Sequence, residues 1–267
     1  MTDFYVKGRD IVLKQADFDL DETLDCGQAF RWVKTGDDEY HGFFLNCELT
    51  ISCLDRADGV FKLENTTEQE LLTVWKSYFD LDADYGELKR RYSEDETLFK
   101  ACGFAGGIRI LRQDKWETLS SFILSQNNNI PRIKGIISRL CEHFDGYPDF
   151  TDMAGLTEQE LGFLRAGFRA KYLTDAVEKL LSGEVSLEKA AEAELDEARA
   201  ELMKIKGGRP EGSRLHAAFS MHRLNAFPKD VWVKRVLEQW YPNGLPECTS
   251  GTEGVAQQYL FHYIRSL

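Results

Sequence analysis

Residues 205–235 read IKGGRPEGSRLHAAFSMHRLNAFPKDVWVKR. In the second half of this stretch, Pro228 fixes its own φ angle, so Lys229 and Asp230 lead into an amphipathic helix with little freedom. Asp230 can cap that helix and present a carboxylate at its start. In the first half, a helix is expected to turn through glycines into a second helix. The glycine spacing there is unusual and the second helix has a poor start, so the stretch predicts an irregular helical hairpin.

Length and charge limit the class of protein. A chain of 267 residues is long enough for one large domain or two medium ones. The net charge of −12 argues against a general nucleic-acid coat protein. The sequence has neither a run of apolar residues long enough to span a membrane nor an apolar signal core near its start, so we expect a cytoplasmic protein. The six cysteines are scattered, which predicts free thiols and no iron–sulfur site.

Basic residues cluster in one part of this acidic chain. Between Ala105 and Leu140 they outnumber Asp114 and Glu117. They are Arg109, Arg112, Lys115, Arg132, Lys134 and Arg139. We expect a local basic face here, which on an acidic protein can bind an anion at one defined site.

The pattern of apolar residues changes near residue 105. Before it, short β-branched or aromatic segments broken by Gly, Asp and Asn predict an antiparallel sheet over 11–14, 29–33, 40–44, 49–53 and 59–63. A helix is expected to start at Thr66 and Thr67. After Gly106 and Gly107, helical spacing predicts helices over 114–127, 130–143, 157–166, 170–182, 186–203, 229–240 and 252–266. The sequence therefore predicts an α+β protein, with a sheet domain over residues 1–105 and a helical domain over 106–267.

Three short segments carry polar groups that could recognise a base. SQNNNIPRI (125–133) ends one helix and begins another, and its amides can donate and accept at once. GQAFRW (27–32) has a glycine that permits close backbone approach. In AQQYLFHY (256–263), Gln257 and Phe261 lie four residues apart on one helix face. Each segment also has a purely structural interpretation: a capped turn, a strand start with buried Phe30 and Trp32, and a core phenylalanine.

Together, and in this order, these segments resemble the 8-oxoguanine DNA glycosylases of the helix-hairpin-helix superfamily. The resemblance covers nearly the whole chain. It includes GQAFRW (27–32), YFDLDADY (78–85), GIRILRQDKWETL (107–119), SFILSQNNNIPRIK (121–134), AGFRAKYL (166–173), AFPKDVWVKR (226–235) and the pair Gln257 and Phe261. It implies an N-terminal antiparallel sheet domain of the TBP-like type, followed by an all-α glycosylase domain whose hairpin spans about residues 196–228.

The resemblance also implies roles for particular residues. In this family an oxidised guanine is swung out of the duplex into a protein pocket. By similarity, the backbone carbonyl of Gly27 would accept from the N7–H that oxidised guanine has and guanine lacks. Gln257 would bind the Watson–Crick edge, and Phe261 would stack on the base.

Further roles concern the DNA around the lesion. By similarity, Asn127, Arg132 and Arg169 would hold the cytosine left behind, and Phe168 would be the wedge that fills or kinks the base stack. Asp230 would stabilise the positive charge that develops on the deoxyribose as the glycosidic bond breaks.

The position of the family's catalytic lysine is occupied by Glu211. In the family this lysine forms a Schiff base with the sugar and permits strand cleavage. The family-like string G-V-G-P-K-V-A-G-C is replaced by GGRPEGSRL at 207–215, so Leu215 stands where the family has a pocket cysteine. One base inserted into a coding string for the family-like residues reproduces the observed ones, and both flanks keep the family pattern. We interpret residues 208–216 as a local reading-frame shift, either a sequencing error or a lesion in the gene.

The leading functional hypothesis is a base-excision repair glycosylase with associated abasic-site lyase activity. It would use no cofactor and would act as a monomer on damaged double-stranded DNA, in the cytoplasm at the nucleoid. A carboxylate cannot form a Schiff base, so Glu211 predicts that lyase activity is lost. The alternatives are a monofunctional glycosylase in which Asp230 activates water and a catalytically impaired lesion-binding protein. Hairpins of this type commonly hold a monovalent cation through backbone carbonyls, and the altered loop at 207–212 argues against one here.

Overall fold

The computed structural model describes residues 3–206, 222–227 and 231–267. Its N-terminal part contains one antiparallel sheet with the strand order β1-β2-β6-β5-β4-β3. The strands are β1 (Asp3–Lys7), β2 (Asp10–Lys14), β3 (Trp32–Gly36), β4 (Glu39–Phe44), β5 (Cys47–Asp55) and β6 (Val60–Leu63). The predicted α+β class and the antiparallel sheet are confirmed.

One face of the sheet is buried against an aromatic cluster. Trp32 is fully buried, and its ring lies 5.8–6.1 Å from the rings of Trp75, Tyr78 and Phe79. Its indole N–H donates to the Tyr78 hydroxyl at 2.7 Å, which satisfies the one polar group of this buried ring. Burial of Trp32 is therefore confirmed. Phe30 is only half-buried, and residues 29–31 form a bend before β3, so the predicted strand starts three residues too early.

Helices begin earlier in the chain than the sequence pattern predicted. After β6, the chain continues through α2 (Glu68–Glu70), a π-helical turn (Leu71–Trp75) and α3 (Lys76–Tyr78). Thr67 and Glu70 form the reciprocal capping box that opens this segment. Strand β1 and three short helices were not predicted from the sequence, namely α1 (Leu20–Leu24), α4 (Tyr85–Tyr92) and α5 (Glu96–Phe104).

The missed helices share one local signal. Asp19, Asp84 and Asp95 each accept a hydrogen bond from the backbone N–H three residues later and so cap α1, α4 and α5. These helices are five to nine residues long, too short for a clear helical period. Aspartate, which the sequence pattern indicated as a turn residue, is the helix N-cap at these three positions.

The middle of the chain is helical, as predicted. It contains α6 (Lys115–Ser125), α7 (Ile130–Phe144), α8 (Ala170–Leu181), α9 (Leu187–Glu192) and α10 (Leu195–Leu202). The helix predicted over 157–166 is a short 3₁₀ turn, Glu160–Leu164. The helix predicted over 186–203 is two helices, because the backbone of Ala193 and Glu194 is extended between α9 and α10.

The chain ends with α11 (Val231–Trp240) and α12 (Glu253–Ser266). Helix α12 contacts α5 and α11 and buries seven consecutive residues from Gly254 to Leu260. Gly254 lies so close to the Ala226 carbonyl that a Cβ there would be 2.5 Å from its oxygen. A glycine at this position therefore lets the start of α12 pack against the segment 224–226.

By its internal contacts, the chain forms two compact units. One comprises the residues up to Arg112 together with Leu224–Leu267, and the other comprises Gln113–Arg223. The unit with the sheet thus also contains α11 and α12. A division by contacts differs from a division by sequence, and the domain boundary at residue 105 stays a prediction.

Candidate functional site

Gly27 lies in a tight bend between α1 and β3. Its φ angle is +90°, a backbone conformation that side chains with a Cβ rarely adopt. Its neighbours Cys26 and Gln28 are 5% and 4% exposed, whereas Gly27 itself is half-buried. A glycine held between two buried residues offers its backbone at the surface of a fixed bend. This is the geometry expected of a main-chain recognition group.

The bend is anchored to the extended segment 107–111. The Gln28 side-chain amide donates to the Arg109 carbonyl at 2.8 Å, and its oxygen accepts from the Leu111 N–H at 3.1 Å. The hydroxyl of Thr23 donates to the Gly107 carbonyl at 3.0 Å and accepts from the Arg109 N–H at 3.2 Å. The buried side chains of Gln28 and Thr23 thus form the hydrogen bonds to the backbone of residues 107–111 that a neighbouring strand would otherwise form.

The side chain of Arg109 ties the segment 107–111 to the residues before α1 and to Asp80. It is 1% exposed, and its guanidinium donates to the carbonyls of Ala16, Asp17 and Asp80 at 2.6–3.0 Å. The guanidinium also lies 4.6 Å from the ring centroid of Tyr85. Burial lowers its pKa from the ordinary value, and nearby Tyr85, Asp80 and Asp17 favour the charged form. Arg109 is therefore not part of a basic face, and that expectation is wrong for this residue.

Gln257 and Phe261 lie one turn apart on α12, in the same compact unit as Gly27. Gln257 is 2% exposed, and no donor in the described part of the chain bonds its side-chain oxygen. Phe261 is half-buried, with the Arg265 guanidinium 5.0 Å from its ring centroid. A buried acceptor without a partner costs free energy, so Gln257 is suited to a ligand that donates.

The asparagine segment forms a helix-to-helix turn, as predicted. Asn129 caps α7 by accepting from the Arg132 N–H at 3.0 Å, and Pro131 lies in the first turn. Asn127 is exposed and has a φ angle of +49°. The side chain of Asn128 turns back to donate to the Leu124 carbonyl at 3.0 Å. Asn127 thus remains at the exposed tip of the turn.

The side chain of Arg169 holds this turn in place by donating to backbone carbonyls of the turn. It is 2% exposed and donates to the carbonyls of Gln126 and Asn127, both at 2.7 Å, and of Ala166 at 3.1 Å. Burial lowers its pKa, and the nearby positive charge of Arg132 lowers it further. The structure therefore brings together Asn127, Arg132 and Arg169, all within the unit Gln113–Arg223.

Phe168, next to Arg169 in the chain, and Arg132 are both accessible. Phe168 is 42% exposed, and the Arg169 guanidinium lies 4.6 Å from its ring centroid. Arg132 is exposed in the first turn of α7. An exposed aromatic ring next to a guanidinium group is suited to contact with stacked bases and phosphates.

Two predicted catalytic residues, Glu211 and Asp230, lie outside the described residues. So does much of the predicted hairpin at 196–228, including the loop at 207–212 considered for a monovalent cation. Across 3–206, 222–227 and 231–267, no group of three or more His, Cys, Asp or Glu side chains is placed to hold a metal ion. In the same ranges, no helix is both long enough and apolar enough to cross a membrane.

The roles of Gln28, Thr23 and Arg109 in anchoring the Gly27 bend were not predicted from the sequence. The available signal was that Gln28 and Arg109 fall within the quoted segments GQAFRW and GIRILRQDKWETL. No spacing rule pairs residues 81 positions apart in the chain, so their contact was not predictable from either segment alone.

Comparison with known proteins identifies the family of this chain. Residues 10–119 match the model of the 8-oxoguanine DNA glycosylase N-terminal domain, and residues 120–247 match the HhH-GPD superfamily of base excision DNA repair proteins. The N-glycosylase/DNA lyase of Arabidopsis thaliana is 28% identical over 258 residues, covering 84% of this chain and 66% of the plant protein.

Solved structures are more similar still. The Clostridium acetobutylicum 8-oxoguanine glycosylase/lyase, in complex with DNA containing cytosine opposite the lesion, is 34% identical with a TM-score of 0.89, covering 100% of this chain and 98% of that chain. The structure of MBOgg1 with a low-affinity DNA ligand is 35% identical with a TM-score of 0.92, covering 100% and 99%. This chain belongs to the 8-oxoguanine DNA glycosylase family of the helix-hairpin-helix base-excision repair superfamily.

Proposed function

We propose that this protein removes 8-oxoguanine from duplex DNA. The observation that carries the proposal is the buried side-chain oxygen of Gln257, which no donor in the described ranges bonds. The Watson–Crick edge of an extruded guanine offers N–H donors, and pairing with them would remove the cost of the unsatisfied oxygen. Phe261, one turn away and half-buried, would stack on the same base.

Discrimination between oxidised and normal guanine would come from Gly27. An N7–H on the oxidised base would donate to the Gly27 carbonyl, whereas the N7 lone pair of guanine would face that oxygen and repel it. The oxidised base gains one hydrogen bond and guanine meets one repulsion, so the two bases differ strongly in binding free energy. This discrimination requires that the Gly27 carbonyl cannot rotate, and the anchored Gly27 bend is suited to hold it.

The cytosine left in the duplex would be held by the cluster at the asparagine turn. Cytosine presents acceptors that the guanidinium groups of Arg132 and Arg169 can bond, and the exposed Asn127 amide adds both a donor and an acceptor. In the free protein the Arg169 donors are occupied by backbone carbonyls. Cytosine binding through Arg169 would exchange these carbonyl bonds for bonds to the base.

The chemistry would rest on Asp230. Its carboxylate would stabilise the positive charge on the deoxyribose and, in the absence of a lysine nucleophile, would activate a water molecule. Glu211 at the lysine position cannot form a Schiff base. The reaction expected of this chain is therefore hydrolytic base release without strand cleavage.

A duplex that carries 8-oxoguanine opposite cytosine tests this proposal. We expect released base, an abasic site that breaks only after hot alkali, and no covalent adduct with borohydride. Asp230→Asn should abolish release. A covalent adduct from this chain would refute the loss of lyase activity, and a duplex left intact by the unsubstituted chain would refute the glycosylase itself.

A second candidate function is lesion binding without chemistry, favoured by Glu211, which by resemblance to the family would share a pocket with Asp230. Two carboxylates in one pocket repel each other and the DNA phosphate. Tight, lesion-specific binding with no base release would identify this case. For either function we propose a monomer that needs no cofactor and acts on the nucleoid in the cytoplasm.

A further inference from the structure

The Gly27 carbonyl and the Gln28 N–H are two ends of one peptide plane. Among the described residues no peptide bond is cis, so these two groups point in opposite directions. Whatever fixes the Gln28 N–H therefore also fixes the Gly27 oxygen. The contacts of Gln28 therefore determine the direction of the Gly27 carbonyl, the proposed recognition group.

The Gln28 N–H lies against the buried thiol of Cys26. Burial raises the pKa of this thiol to about 11, although hydrogen bonds from the Gln28 backbone and side chain favour the thiolate. The neutral Cys26 thiol donates in turn to the Thr23 carbonyl at 3.3 Å. Since the N–H points to a buried sulfur, the Gly27 oxygen points away from it.

The side chain of Gln28 prevents this plane from rotating. Its amide nitrogen donates to the carbonyls of Thr23 at 2.9 Å and Arg109 at 2.8 Å, and its oxygen accepts from the Leu111 N–H at 3.1 Å. These three bonds join the bend to α1 on one side and to the segment 107–111 on the other. At 4% exposure, none of them can be replaced by water without opening the bend.

We infer that Gln28 is the positioning residue that holds the Gly27 carbonyl in place and so sets the preference for a purine with an N7–H. The inference rests on the function proposed above. A fixed oxygen opposite the lone pair of guanine keeps the full repulsion, because it cannot move. A loosely held peptide rotates, which relieves the repulsion and accepts both bases.

The test measures the affinity of the full chain for two duplexes, one with 8-oxoguanine opposite cytosine and one with guanine opposite cytosine. Gln28→Met keeps the side-chain volume and removes the three bonds to Thr23, Arg109 and Leu111, together with the side-chain bond to the Cys26 sulfur. We expect it to reduce the ratio of the two affinities roughly tenfold or more. Ser120→Ala is the matched control, because it removes a buried hydroxyl bonded to the Trp116 carbonyl and to Tyr147, both at 2.6 Å, in the other compact unit. It should leave the ratio unchanged.

A second variant keeps the test decisive where Gln28→Met does not fold. In Gln28→Glu, the ionised carboxylate faces the carbonyls of Thr23 and Arg109, whereas the protonated form regains one donor. The ratio should therefore recover as the pH falls from 8 to 5.5, relative to the unchanged chain measured in parallel. An unchanged chain with no preference between the duplexes would refute the proposed function. A normal preference in the unchanged chain together with the same ratio in Gln28→Met, or with a pH-independent ratio in Gln28→Glu, would overturn the role of Gln28 alone.

Discussion

Replacing Arg169 with alanine is expected to destabilise the turn that carries Asn127. The guanidinium donates to the carbonyls of Gln126, Asn127 and Ala166 at 2.7–3.1 Å, and the residue is 2% exposed. Asn127 has a φ of +49°, a conformation that costs a non-glycine residue free energy. Arg169→Ala removes all three donors and leaves this strained turn without its support.

The magnitude follows from the contacts. A hydrogen bond from a charged donor contributes about 1.5–3 kcal/mol, so the three bonds have a large gross value. Part of it offsets the desolvation of a buried guanidinium, which is also why its pKa is lowered. We expect a net loss of about 2–4 kcal/mol in the free energy of unfolding, equivalent to a fall of roughly 5–15 °C in Tm for a chain of this size.

The assay is thermal unfolding followed by circular dichroism, with Lys171→Ala as the control. Lys171 is an exposed cation two residues away, so its loss changes the charge equally but should change stability by less than about 0.5 kcal/mol. In binding experiments, Arg169→Ala should weaken the duplex with cytosine opposite 8-oxoguanine more than the duplex with adenine opposite. A variant that unfolds at the temperature of the unchanged chain would show that the three carbonyl bonds contribute nothing, and the reasoning would fail.

Three further outcomes are expected. Phe261→Ala should weaken binding to an 8-oxoguanine duplex by about 1–3 kcal/mol through lost stacking, with little change in binding to undamaged duplex. Fluorescence anisotropy measures both affinities. An equal loss of affinity for the two duplexes would contradict stacking on the lesion. Arg109→Met should lower the free energy of unfolding by about 2–4 kcal/mol in urea, because the buried Asp80 carbonyl and the part-buried Ala16 and Asp17 carbonyls lose their donor, and an unshifted midpoint would refute this. Burial lowers the pKa of His262 to about 4, so the unfolded chain binds a proton that the folded chain does not between about pH 6.5 and pH 4. The free energy of unfolding should therefore fall by about 2–3 kcal/mol from this group as the pH is lowered through this window. His262→Gln should remove that part of the dependence of stability on pH. Urea titrations at several pH values that show the same dependence in both proteins would contradict this.

The local order of the chain was largely predictable. Each strand predicted from alternating apolar residues exists, and the helices after residue 105 begin within two residues of their predicted starts wherever a capping residue and a full helical period coincide, as in α6 and α7. Predictions were wrong where one signal was ambiguous. Asp84 and Asp95 were not recognised as caps of short helices, and Arg109 was counted as surface charge although it is buried.

By itself, the sequence determined which residue types stand in which order: a glycine before an aromatic strand, three asparagines between helices, and a glutamine and a phenylalanine one turn apart near the end. These are local properties, fixed by φ preferences, capping and helical spacing within a few residues. Only the tertiary structure decided that Gln28 satisfies the backbone of residues 109 and 111 and that Arg169 satisfies that of residues 126 and 127. Such contacts join positions more than 40 residues apart, and they form because a buried carbonyl or amide must find a partner wherever folding brings one within reach.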